Sequence, residues 1–221
     1  MPRLNSLTST STLAVAALAA VASAEVTIGD FEGADPGQWG YWSSGLQTPL
    51  GDDPTLEFSA EDATSGAMSV KATNMGYDQN LAYAADFDTR QDFLNNNTLL
   101  FDVVFPETTD SGFWELFEIV FNSDEGFNDL TASVTNSEGG TNQVGWGSGG
   151  GARRVVTFSV DYSSQLALWN GEDMSYLELV ISLNNDSVHN VAYLDNFRLV
   201  PAPASIAMLG LGLAGATRRR R

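Results

Sequence analysis

The sequence of 221 residues contains no cysteine and only one histidine, His189. The missing thiols exclude a cysteine nucleophile and cysteine-ligated zinc, and one histidine cannot form a multi-histidine metal site alone. A chain of this size does not need disulfides to fold outside the cell, provided that its core is adequate. These absences restrict the chemistry that the chain can perform.

Basic residues are scarce: ten Lys and Arg oppose 28 Asp and Glu, which gives a formal net charge of −18. The imbalance is larger within residues 25–200, which hold all 28 acidic residues and five basic ones, or 5 − 28 = −23. A surface of this charge is unfavourable for nucleic acid. Strong acidity suits an exported soluble protein or one that binds divalent cations.

The first 24 residues form a predicted export signal. An apolar run at 13–21 follows Arg3 and ends at Ala22-Ser23-Ala24, which has the A-x-A form of a signal-peptidase site. The pattern predicts a secretory signal peptide over residues 1–24, with cleavage between Ala24 and Glu25. The alternative, an N-terminal core helix, does not explain why small residues stand where the apolar run stops.

Residues 25–200 predict one all-β domain. Alternating apolar segments recur between turn signals, and no helical periodicity of useful length appears. Nine or ten short strands are expected, as in a β-sandwich or jelly roll. Residues 33–51, 137–151 and 163–174 are expected to be loops, and 89–97 one helical turn or a polar loop. The clearest strand segments are 98–105, 113–122, 153–162 and 176–184.

The C-terminal end combines a last strand with a different kind of segment. Residues 189–200 have strand patterning, with a bulge expected at Asp195-Asn196. Residues 201–221 then contain a proline-rich break, eleven small apolar residues and four arginines. This composition is typical of a processing or membrane signal, although a spanning helix needs ~20 apolar residues.

Several motifs, taken in order, resemble jelly-roll carbohydrate-binding modules and the related galactose-binding-like sandwiches. They are D-F-E-G at 30–33, W-G-Y-W at 39–42, A-M-S-V-K-A at 67–72, L-L-F-D-V at 99–103 and Y-L-D-N-F-R-L-V at 193–200. The resemblance implies that the final strand closes against the first. It also implies a structural Ca²⁺ shared by Asp195 and an acidic residue near the first strand, Asp30 or Glu32. The alternative is that these are ordinary strand-end acids.

The tail resembles the PEP-CTERM sorting signal of exported bacterial proteins. Pro201 and Pro203 flank Ala202, where that signal usually has Glu. The resemblance implies export and sorting machinery as partners, transient membrane contact through the tail, and delivery to the cell surface or extracellular matrix. A bare disordered tail is the alternative, but disorder favours a more polar composition.

Aromatic residues in the expected loops are candidates for sugar binding, because flat rings stack on pyranose faces. The alternative is that these rings seal the ends of the sandwich. The candidates are Trp39, Tyr41, Trp42, Trp146 and Trp169.

Taken together, the sequence predicts an exported, non-catalytic protein that binds a polysaccharide or matrix glycan. The alternative is a structural matrix protein without a small-molecule site. A glycoside hydrolase is less favoured, because Glu115 and Glu118 lie three residues apart in a predicted strand and so point to opposite faces.

Overall fold

The structure is a computed structural model that describes residues 25–32, 38–43, 46–50, 55–73, 80–106, 114–145, 153–169, 174–184 and 191–201. The predicted signal peptide and the tail beyond Pro201 lie outside these residues, as do Ala24 and Pro203. Within the described part of the chain, no helix is both long and apolar enough to cross a membrane.

Fourteen strands in the described residues form two antiparallel sheets of seven, which pack as a sandwich. Sheet A contains β1 (Val26–Gly29), β4 (Leu56–Ser59), β5 (Ser69–Thr73), β7 (Thr98–Phe105), β10 (Val134–Asn136), β12 (Arg154–Asp161) and β14 (Val191–Val200). Sheet B contains β2 (Trp39–Ser43), β3 (Leu46–Pro49), β6 (Asn80–Ala84), β8 (Trp114–Ser123), β9 (Gly126–Asp129), β11 (Gln143–Gly145) and β13 (Leu177–Asn184). Two short helices, α1 (Phe87–Asn95) and α2 (Ser163–Leu166), and a 3₁₀ turn at Thr131–Ser133 complete the described elements.

Aromatic side chains from both sheets fill the space between them. In β8, the alternate residues Phe117, Ile119 and Phe121 are fully buried. The Phe117 ring lies 4.4 Å from that of Phe158 and 6.0 Å from that of Phe101, centroid to centroid. Because these partners belong to sheet A, such contacts join the two layers and leave the alternate residues of β8 on the outer face.

The last strand occupies the middle of sheet A. It pairs with β7 on one side and β5 on the other, and β1 also pairs with it, with Val26 opposite Leu199. The predicted closure of the first strand against the last is therefore confirmed. The predicted bulge is confirmed as well, because the β7–β14 register shifts after Asp195 and Asn196 has a φ of 54°.

Three expected loops contain structure that the sequence pattern did not show. Residues 33–51 include the β2–β3 hairpin, 137–151 include β11, and 163–174 include α2. Residues 89–97 overlap a nine-residue helix, α1. Asp86 caps this helix by accepting the backbone N–H of Thr89 at 2.9 Å. Phe93 is its only buried residue, which explains why no apolar periodicity was visible.

Candidate functional site

Three of the predicted sugar-binding aromatics lie in the core. Trp39, Tyr41 and Trp169 are 4%, 8% and 4% exposed. The Trp39 indole donates a hydrogen bond to the Ile28 carbonyl at 2.9 Å, and its ring lies 4.6 Å from that of Phe197. Rings buried between two sheets cannot stack on a sugar, so the prediction was wrong for these three. The error follows from the hairpin: Trp39 and Tyr41 are inward residues of β2 rather than loop residues.

The other two aromatic candidates are not decided by the structure. Trp146 lies outside the described residues. The backbone of Trp42 belongs to β2 and pairs with Asn80 of β6, while its side chain is outside the described part. Sugar binding by Trp42 and Trp146 therefore stays a prediction.

The predicted calcium ligands hold one surface loop, residues 60–68, against the outer face of sheet A. The Asp195 carboxylate is fully buried and accepts the backbone N–H groups of Thr64 at 2.6 Å and Ser65 at 2.7 Å. Glu32 accepts those of Ala67 at 2.6 Å and Met68 at 2.7 Å. Two carboxylates thus bind successive amide groups of the same loop.

Gly66 makes this arrangement possible. Its φ of +64° is one that a residue with a side chain rarely adopts. A Cβ at this position would lie 2.3 Å from the Glu32 carboxylate, well inside van der Waals contact. The glycine therefore permits both the turn of the loop and the close approach of Glu32.

A second buried acid lies beside Asp195. Asp102 is 6% exposed and occupies the paired position on β7. It accepts hydrogen bonds from the Thr157 hydroxyl at 2.6 Å and the Asn196 amide at 2.8 Å. The Thr64 hydroxyl is 3.1 Å from oxygens of both carboxylates. Burial raises the pKa of Asp195, while its hydrogen bonds to the loop backbone oppose the rise.

These contacts do not have the polarity of a calcium site. Calcium requires six to eight oxygen ligands, in which backbone carbonyls accompany carboxylates. Here the loop presents N–H donors to the oxygens of Glu32 and Asp195, and Asp30 accepts the Glu32 N–H at 3.3 Å. Among the described residues, no group of three or more His, Asp or Glu could hold a metal ion. The residues as arranged do not fit a shared Ca²⁺, and calcium binding stays an untested prediction.

The outer face of sheet B contains a cleft of about 230 Å³. Its floor follows from β pairing, because Asn80, Ser182 and Glu118 stand opposite one another on β6, β13 and β8. Each alternates in its strand with residues of the buried core. Outward residues of three neighbouring strands therefore meet in one surface. The lining is polar at Asn80, Glu118, Asn122 and Ser182, and apolar at Val120, Val180 and Phe127.

Two features make this cleft a candidate binding site. Asn80 is only 5% exposed, and its side-chain oxygen has no hydrogen-bond partner among the described residues. An orphaned buried acceptor is costly unless a ligand or water satisfies it. Phe127, at the other end of the cleft, is 71% exposed, although a large apolar side chain is usually buried. An unpaired polar group and a bare aromatic ring therefore line the same cavity.

A buried carboxylate borders the cleft on the same face. Glu178 is 5% exposed and pairs with Asn122 across the strands. It accepts hydrogen bonds from the Asn122 amide at 3.1 Å and the Tyr176 hydroxyl at 2.7 Å. Burial, followed by this bond to Glu178, raises the pKa of Tyr176. The Tyr176 hydroxyl therefore remains a donor to Glu178 at neutral pH.

Sequence reasoning missed most of this cleft. Phe127 follows a Glu-Gly turn and resembles any hairpin residue, and Asn80 opens an ordinary apolar strand. The one usable signal is the alternation of β8, which places Glu118 and Val120 on the same face. Which other strands supply outward residues depends on pairing across long sequence separations.

Glu118 and Glu178, two carboxylates of this face, occupy widely separated positions on neighbouring strands. Glu178 stands opposite Asn122, four residues along β8 from Glu118. At 3.3–3.4 Å per residue, their backbone positions are about 13 Å apart. Glycosidases place their two carboxyl groups ~5–9.5 Å apart. The side chain of Glu115 lies outside the described part.

Comparison with known proteins gives one finding for the C-terminal tail and another for the folded domain. Residues 199–221 match the PEP-CTERM protein-sorting motif, which indicates export and sorting to the cell surface. No match was found among curated protein sequences. Among solved structures, the fold is similar to that of a carbohydrate-binding module, CBM28, specific for non-crystalline cellulose, with a TM-score of 0.52. That match has 12% identity and covers 82% of this chain and 97% of the module.

Two other modules are also similar. One is CBM27-1 of Caldicellulosiruptor saccharolyticus, solved with mannohexaose, with a TM-score of 0.48, 16% identity and coverage of 81% and 98%. The other is the CBM22-1 xylan-binding domain of Paenibacillus barcinonensis Xyn10C, with a TM-score of 0.43, 13% identity and coverage of 82% and 99%. At 12% identity, the match to CBM28 establishes the fold alone, a carbohydrate-binding-module-like β-sandwich, and this chain also carries a sorting tail.

Proposed function

We propose that this exported protein binds a polysaccharide in the cleft on the outer face of sheet B. The observation that carries the proposal is the pairing of an unsatisfied buried acceptor, Asn80, with a bare aromatic ring, Phe127, in one cavity. Polysaccharides offer hydroxyl donors and apolar pyranose faces together. The cleft complements both properties of such a ligand.

The dimensions of the cleft suit a short stretch of an extended chain. Neighbouring strands lie ~4.8 Å apart, so the row from Asn80 through Ser182 to Glu118 spans roughly 10 Å. The next row carries Val180 and Val120, and the one beyond it ends at Phe127. A sugar chain lying across these rows would meet polar groups at one side and the aromatic ring at the other.

The sorting tail indicates where in the cell envelope this binding takes place. A motif for export and surface sorting at residues 199–221 follows directly from β14. We propose that the sandwich is delivered to the cell surface or extracellular matrix, where it contacts matrix glycans without cleaving them. There the protein binds and retains polysaccharide and does not modify it chemically.

The test compares two exposed phenylalanines. Phe127 lines the cleft, whereas Phe87 is 62% exposed at the start of α1 and does not line it. Affinity electrophoresis of residues 25–201 against a panel of soluble polysaccharides, followed by titration calorimetry, measures binding. We expect Phe127→Ala to weaken binding about fivefold, since one stacking face contributes on the order of 1 kcal/mol. Phe87→Ala should bind like the wild type.

Two results would contradict the proposal. Equal losses from the two variants would mean that binding does not occur in the cleft. If the wild type is retarded by none of the polysaccharides, the alternative of a structural matrix protein without a sugar site is supported instead.

A further inference from the structure

Sheet B contains no basic residue. None of its seven strands includes Lys, Arg or His. The five basic residues of 25–200 lie on other elements, namely Lys71 on β5, Arg90 on α1, Arg153 and Arg154 at the start of β12, and Arg198 on β14. The strands of sheet B therefore supply no cation to a ligand bound in the cleft on the outer face of this sheet.

Two of these basic residues form ion pairs on the other sheet. Lys71 lies 2.8 Å from a Glu61 oxygen, and Arg153 lies 2.8 Å from an Asp62 oxygen. The two acidic partners belong to the 60–68 loop on sheet A, on the opposite side of the sandwich from the cleft. These side chains hold the loop in place and do not balance the charge of the cleft.

The cleft itself presents hydrogen-bond acceptors. The acidic residue Glu118 lines it, and the buried Asn80 side-chain oxygen has no partner among the described residues. One N–H of the Asn122 amide donates to Glu178. Among the described residues, the donors to the buried Glu178 are neutral, namely the Asn122 amide and the Tyr176 hydroxyl. Glu118 therefore gives an electrostatic advantage to a ligand that carries N–H donors and positive charge.

We infer that the cleft binds polysaccharides with free amino groups, of the glucosamine-polymer type, in preference to neutral or anionic glycans. This inference rests on the proposed function of the same cleft. An ammonium group supplies three donors and a positive charge opposite Glu118. Uronate or sulfate groups would meet the Glu118 carboxylate on a sheet whose described strands carry no cation, in a protein whose net charge is −18. Neutral sugars lack the electrostatic contribution.

The experiment uses residues 25–201 and four short oligosaccharides of equal length. They are a glucosamine oligomer, its fully N-acetylated form, a neutral glucose oligomer and a uronic acid oligomer. Calorimetry at low and at physiological salt gives the dissociation constants. We expect the glucosamine oligomer to bind up to about fivefold more tightly than its N-acetylated form, as for one exposed ion pair, with a smaller ratio at higher salt. The uronate oligomer should bind weakest.

Two charge-removing variants separate the cleft from the overall charge. Glu118→Gln removes a carboxylate in the cleft, whereas Glu57→Gln removes an exposed one on β4 of sheet A. We expect Glu118→Gln to abolish most of the preference for the amino form and Glu57→Gln to keep it. Equal effects of the two variants would show attraction by net charge alone and would overturn the inference.

The outcomes also separate this inference from the proposed function. Equal binding of the glucosamine, N-acetylated and neutral oligomers, lost in Phe127→Ala, would overturn the charge preference and leave polysaccharide binding in the cleft intact. Tighter binding of the uronate oligomer would overturn the inference in the same way. No binding of any oligomer would contradict the proposed function and the inference together.

Discussion

Removal of the Asp195 carboxylate tests how the 60–68 loop is held on the domain. Asp195 is fully buried at the bulge of the central strand and binds three backbone N–H groups, those of Thr64, Ser65 and Asn196, at 2.6–2.7 Å. Asp195→Ala would leave these donors without their acceptor. The variant would also remove the 3.1 Å contact between the Thr64 hydroxyl and the Asp195 carboxylate.

The expected loss is large but smaller than the sum of the bonds. A hydrogen bond to a charged group contributes about 1.5–3 kcal/mol, and three of them would exceed 4 kcal/mol. Two effects reduce this value. Thr64 and Ser65 are half-buried, so water can reach part of the freed backbone, and the variant removes a buried charge next to Asp102. We expect a loss of about 2–4 kcal/mol, or a melting temperature lower by roughly 5–15 °C for a domain of this size.

The sign of the pH dependence is also defined. Burial raises the pKa of Asp195 above its ordinary value of 3.8, so the folded state favours the protonated form. The stabilisation by Asp195 is fully present below the unfolded pKa and decreases as pH rises through the raised folded pKa. The difference between wild type and Asp195→Ala should therefore be larger near pH 4 than at pH 7.

Urea unfolding of residues 25–201 provides the measurement, with the midpoint and the slope fitted together. The control is Asp161→Ala, because Asp161 also accepts a backbone N–H, that of Ser163 at 2.9 Å, but is exposed. We expect the control to cost less than about 0.5 kcal/mol. If Asp195→Ala were no more destabilising than Asp161→Ala, the reasoning about the loop would be refuted.

The wild type and Asp195→Ala also test the calcium prediction. Melting temperatures in Ca²⁺ and in Na⁺ at equal ionic strength separate specific binding from screening of the negative charge. A rise specific to Ca²⁺ that disappears in Asp195→Ala would support an ion at Asp195. Because the loop presents N–H groups to this carboxylate, we expect equal shifts in the two salts and destabilisation of the variant in both.

Two further predictions concern the first helix and processing. Asp86→Ala should cost about 1 kcal/mol at pH 7, because Asp86 caps α1 through Thr89. That hydrogen bond lowers the Asp86 pKa, so the stabilisation is complete above pH 3.8 and is lost as pH falls through the lower folded pKa; equal costs by urea unfolding at pH 7 and pH 2 would contradict this. Intact-mass analysis of protein from its native host should show a chain that begins at Glu25 and lacks the residues after about Pro203, whereas a full-length chain in the cytoplasm would contradict export.

Strand identity was largely predictable because it depends on local alternation. The clear two-residue period in 98–105 and 113–122 predicted β7 and β8 almost to the residue. Short strands without this signal, such as β11, were missed. Propensity is weak over three to five residues, and pairing with a neighbour decides whether they become extended.

The sequence by itself determined the charge of the domain, its sandwich class and the sorting tail, which depend on composition, local period or a contiguous motif. The closure of the last strand on the first was implied by the resemblance to jelly-roll carbohydrate-binding modules. Only the tertiary structure decided which aromatic rings are buried and where a ligand could bind. Asn80, Glu118, Phe127 and Ser182 are separated by up to about a hundred residues, and they meet only because the register of β6, β13, β8 and β9 aligns their outward faces. The same packing buries Trp39, because large rings fill the space between two sheets and leave few voids.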